Sequence, residues 1–60
     1  MSISFDERAC RQLVTRLGGM WMRTGRGKIR FLQPPYPTRT FTGWKRLRCY
    51  LERVERGEPR

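Results

Sequence analysis

Apolar residues change their spacing along this chain, and the changes mark out its elements. Phe5, Ala9, Cys10, Leu13, Val14 and Leu17 recur every three or four positions, the period of one helical face. Ser4 precedes them and Glu7 follows three positions later. That is the pattern of a capping box, in which the hydroxyl takes a backbone N–H and the carboxylate reaches back. Asp6 and Glu7 also fall in the first turn, where negative charge is favoured. Gly18-Gly19 ends the segment, so a helix is predicted over 5–17. Arg8, Arg11, Gln12 and Thr15 line its polar side, where a solvated face and a binding surface are equally good readings.

From Met20 the period drops to two. In Met20–Arg23 and Lys28–Leu32, apolar and cationic residues alternate around Thr24-Gly25-Arg26-Gly27. Two glycines about an arginine suit a tight hairpin, because glycine enters positive φ cheaply. Trp21, Ile29 and Phe31 can then share one face, with Lys28 and Arg30 on the other and Arg23 on the open face or its edge. Three prolines in Pro34-Pro35-Tyr36-Pro37 exclude helix and central strand and favour a stiff turn. Thr38–Phe41 reads as a short third strand with Phe41 inward. Thr42 is placed to cap a last helix over 43–56. Its Trp44, Leu47, Tyr50, Leu51 and Val54 form one arc, and Lys45, Arg48, Glu52 and Arg56 the other. Gly57 is its stop.

These elements assemble as α+β: a small two-layer domain, α-β-β-β-α, with a three-stranded antiparallel sheet carrying two helices on one face. Sixty residues make a single domain, residues 1–60, and a chain of this size buries only about 60% of its surface. A homodimer or another partner would add stability. A large catalytic pocket is not expected on volume alone.

Charge narrows the class of partner. The formal net charge is +9, and residues 8–48 hold eleven basic side chains and no acidic one. From Cys49 onward three arginines meet three glutamates. A cationic block of this kind attracts polyanions, and twelve of the fourteen basic residues are arginine, whose fork fits phosphate and guanine edges. Nucleic acid is therefore the expected partner. The alternative is a small basic adaptor or inhibitor, for example phage-encoded, that docks on an acidic protein surface.

Candidate phosphate contacts are Lys45, Arg46 and Arg48 in the first turns of the last helix, Arg26 at the hairpin tip, Lys28 and Arg30 on the open sheet face, and Arg8 and Arg11 on the first helix. Tyr36 and Trp21 are candidates for base stacking, while Trp44 lies on the apolar arc and belongs to the core. In one docking mode the helices and the hairpin tip grip phosphates across the grooves of a duplex. In the other the sheet face enters a groove and its arginines read bases.

Catalysis is not expected. There is no histidine, the serines are Ser2 and Ser4 alone, and the five acids sit at helix ends or in the tail, away from the basic surface. No triad, carboxylate pair or phosphate-binding glycine loop can be assembled. Cys10 and Cys49 are too few for a zinc site, so no metal or cofactor is expected. A disulfide between them is possible by count, but a reducing, cytoplasmic compartment is the simpler reading. The N-terminus has no apolar run of signal length and nothing approaches a membrane span.

The helix–three strands–helix order resembles the double-stranded RNA-binding domain, in which lysines at the start of the last helix hold phosphates across the RNA major groove. Lys45, Arg46 and Arg48 match that role. The same order resembles the small HicA-type RNA-cleaving toxins. Those carry an essential histidine on the sheet, which this chain lacks, so the likeness does not extend to cleavage. Phe31, Pro34, the Arg39–Phe41 strand and Tyr50-Leu51 resemble the late strand and helix of methyl-CpG-binding and related DNA-reading modules. The resemblances imply a nucleic-acid binder and differ on RNA or DNA.

Overall fold

The computed structural model describes residues 3–59. It runs α1 (Phe5–Leu17), β1 (Met20–Gly25), β2 (Lys28–Gln33), β3 (Tyr36–Thr42) and α2 (Trp44–Glu55), the α-β-β-β-α order expected. The Ser4 side chain accepts the Glu7 backbone N–H at 3.1 Å, which starts α1. Only this half of the capping box forms, because the Glu7 carboxylate turns instead to two arginines. At the other end Gly18 takes φ 76°. The Gly18 and Gly19 N–H groups then close on the Thr15 and Val14 carbonyls, a Schellman-type stop.

The sheet is antiparallel throughout, in the order β1-β2-β3. Its register sets Trp21 opposite Phe31 and Met22 opposite Arg30, which fixes the two faces predicted from alternation. Arg26 and Gly27 form the β1–β2 turn with φ 52° and 73°, and positive φ at both central positions is the geometry that matches strand twist. β3 is longer than expected and takes in Tyr36 and Pro37. Proline is tolerated there because β3 is an edge strand. Pro34 and Pro35 keep the turn expected of them.

One core lies between the helices and the inner sheet face. It contains Cys10, Leu13 and Val14 of α1, Ile29 and Phe31 of β2, and Leu47 and Leu51 of α2. Leu17, Trp21, Phe41, Trp44 and Tyr50 close its rim. Gly19 lets α1 end hard against the sheet: a Cβ there would stand 2.8 Å from Phe31 Cε1 and 3.0 Å from the Leu32 carbonyl. Gln33 Nε2 donates to the Leu17 carbonyl at 2.6 Å, tying β2 to the last turn of α1.

Two sequence expectations are corrected here. Phe5 is 75% exposed, at the outer end of the apolar stripe with the Arg48 guanidinium over its ring. Thr42 does not cap α2. Gly43 holds that position with no side-chain hydrogen bond, and its N–H donates instead to the Gly27 carbonyl at 3.0 Å. The start of α2 is thereby fastened to the hairpin turn.

Candidate nucleic-acid interface

The acids are not set apart from the basic surface, as sequence position suggested. Each of the five is paired with an arginine. Glu7 holds Arg11 at 2.7 Å and Arg23 at 3.2 Å, and Asp6 and Glu52 share Arg48. Glu55 holds Arg16 at 2.8 Å and Glu58 holds Arg56 at 3.1 Å. Three of the six pairs, Glu7–Arg23, Asp6–Arg48 and Glu55–Arg16, join elements far apart in sequence and tie α1 to β1 and to α2.

Arg48 is accordingly removed from the predicted grip. Its side chain is only 22% exposed, and its hydrogen bond to Asp6 raises the guanidinium pKa further. It stays charged, with its charge directed into the molecule. Arg11 is likewise engaged, by Glu7 and by the face of Trp21 at 5.2 Å. Trp21 is not an exposed stacker: it packs edge-on against Trp44 with ring centroids 5.2 Å apart. Arg23 points to the helix side of the sheet, opposite Ile29, and lies over Trp44. Tyr36 remains 47% exposed.

Arg8, Arg26, Lys28, Arg30, Arg39, Lys45, Arg46 and Arg53 have no carboxylate partner among the described residues. Four of them stand on two segments that the fold makes neighbours, the hairpin turn and the start of α2. Lys45 and Arg46 are exposed in the first turn of α2, which contains no acid. The Gly43–Gly27 bond brings the hairpin turn against that first turn. Gly25, Gly27, Lys28, Gly43 and Trp44 line one hollow of about 350 Å³ between them. Arg26 crowns the turn, and Lys28 stands opposite Thr42 on the neighbouring strand. Uncapped N–H groups at a helix start attract anions, and here cations are added to that already positive end. Arg30, opposite Thr40, lies further along the open sheet face with Met20 and Met22, both exposed. Arg8 is exposed on α1, apart from the four.

A second set of residues went unnoticed in the sequence. Thr40, Phe41, Thr42, Lys45, Arg46, Cys49, Tyr50 and Arg53 line an open groove of about 650 Å³ between β3 and α2. By sequence position Arg53 belongs to the neutral tail. Its signal was its position on the helix wheel, where it falls with Arg46 and Cys49 on the flank opposite Arg48 and Glu55. Cys10 and Cys49 are both free thiols. Cys10 donates to the Trp44 carbonyl at 3.3 Å, and burial, with help from the Asp6 carboxylate, pushes its pKa up to about 12. Cys49 is exposed.

Among the described residues no group of histidine, cysteine or acidic side chains could hold a metal ion. None of their helices is long and apolar enough to cross a membrane. Comparison with protein-family models, with curated proteins and with solved structures finds no match.

Proposed function

We propose that this protein binds nucleic acid through its phosphate backbone, without catalysis and in a regulatory capacity. One observation carries the reading: Lys45 and Arg46 lie uncompensated in the first turn of an uncapped helix, and the Gly43–Gly27 bond fastens the hairpin turn beside them. Cations at a helix N-terminus oppose the helix dipole, so the fold bears a local cost that a bound anion would remove. Arg26 and Lys28 widen the same positive surface. A reducing, cytoplasmic compartment is part of this reading.

The test is electrophoretic binding to duplex DNA, duplex RNA and single strands of mixed sequence at two salt concentrations. Four phosphate contacts, one for each of Arg26, Lys28, Lys45 and Arg46, give a slope of log affinity against log salt of about −3.6 on a DNA duplex. Arg46→Glu or Arg26→Glu lowers affinity more than tenfold. No micromolar binding to any of these at low salt overturns the reading. Recovery of one stoichiometric acidic protein in a pull-down would favour the adaptor instead.

A further inference from the structure

The two flanks of α2 carry different chemistry. On the flank toward α1, Arg48 and Glu55 are locked into ion pairs with Asp6 and Arg16, and Glu52 is held by Arg48. On the flank toward β3, the groove is lined by Lys45, Arg46 and Arg53 and by no acid. None of those three cations has a carboxylate partner among the described residues.

The groove is more than a charged surface. Its far wall is the edge strand, which contributes Thr40 and Thr42. Its lining includes Phe41 and Tyr50, whose ring centroids are 5.1 Å apart. Arg39 lies over the Tyr50 ring at 5.4 Å. Lys45 and Arg53 are eight positions apart on one helix, a span of about 12 Å at the helical rise. A row of cations beside aromatic rings is what single nucleic-acid strands use: backbone against the charges, base faces against the rings. A duplex keeps its base faces stacked inside and offers the rings only its backbone and groove edges.

We propose that the β3–α2 groove is a binding channel for one extended strand of nucleic acid, leading from the start of α2 toward Arg53. The assignment rests on the nucleic-acid reading above and adds the strand state and the path of the ligand. An acidic peptide shares the negative charge but lacks base faces to lay on Phe41 and Tyr50.

Cys49 provides the test. It is an exposed thiol inside the groove, whereas Cys10 is fully buried and its raised pKa keeps it out of the reaction. Alkylation of the whole protein by N-ethylmaleimide therefore reports on the groove without a mutation. A saturating mixed-sequence single-stranded oligonucleotide slows Cys49 modification at least fivefold, while a duplex of the same length slows it less than twofold. Arg53→Glu, checked for folding by circular dichroism, lowers single-strand affinity at least fivefold more than duplex affinity, and the milder Arg53→Gln does so in the same direction. If both ligands bind but Cys49 stays equally reactive, the channel is wrong and the phosphate reading stands. If neither binds, both fail. Protection of Cys49 by a poly-glutamate peptide at the same concentration also overturns the channel, because the groove would then be a general acidic-ligand site.

Discussion

The two helices of this protein begin in opposite ways. α1 starts with a hydroxyl cap at Ser4 and two acids, Asp6 and Glu7, in its first turn. α2 starts at Gly43 with no side-chain cap and with Lys45 and Arg46 where acids would be favoured. The first arrangement satisfies both the free N–H groups and the helix dipole, and its carboxylates then reach out to Arg11, Arg23 and Arg48. The second arrangement satisfies neither. Helix starts in one small domain fold under the same physics, so the contrast separates a terminus whose charges favour the fold from one whose charges oppose it.

The largest effect that can break this contrast comes from giving α2 the charges of α1. Replacing Lys45 and Arg46 together by glutamate is expected to lower nucleic-acid affinity by well over tenfold, since two phosphate contacts become repulsive. The same double variant is expected to fold more stably, by about 1 kcal/mol in urea titration, because the new charges suit the dipole. Loss of binding with gain of stability is the signature of a functional terminus. A double variant that loses both would show that Lys45 and Arg46 hold the fold together, and the contrast would collapse.

A smaller effect comes from making α1 resemble α2. Ser4→Ala removes the acceptor for the Glu7 N–H and is expected to cost about 1 kcal/mol, with nucleic-acid affinity in low salt unchanged within twofold. The measurement is a paired urea titration and binding curve. A fall in affinity without a fall in stability would place the start of α1 in the interface and remove the distinction.

The contrast was only half legible in the sequence. α1 was readable to the residue, because its cap, its stripe and its glycine stop are all local signals. The strand faces followed from alternation, and the Arg26-Gly27 turn from glycine's freedom in φ. What sequence position hides is which charges meet across the fold. Arg48 looked like a third member of the grip because it is close to Lys45 and Arg46 in the chain. Its partner Asp6 is 42 residues away, and only the packing of α1 on α2 brings them together. Arg23 was hidden in the same way, being drawn to Glu7 and Trp44 on the helix side of the sheet. The groove needed three segments to be in place at once, since β3 supplies Thr40, Phe41 and Thr42 while the two ends of α2 supply the cations. Thr42 was a reasonable cap by residue type, but the hairpin carbonyl of Gly27 claims the Gly43 N–H and sets the entry to α2.

The smallest effect concerns the contact by which α1 steadies the first turn of α2. Cys10 donates from α1 to the Trp44 carbonyl and is fully buried, so its thiolate is disfavoured and its pKa rises from 9.0 to about 12. The unfolded chain then releases this proton at lower pH than the folded one. Between these two values the native state binds more protons, and stability must fall as pH rises. The contribution is intact below pH 9.0 and is progressively lost toward pH 12. For this one group the loss between neutrality and pH 9.5 is under about 1 kcal/mol. It is read as the difference in urea midpoints between the protein and Cys10→Ala, whose own cost of truncation is independent of pH. If the two midpoints keep a constant separation across that range, the Cys10 thiol is not held neutral by burial.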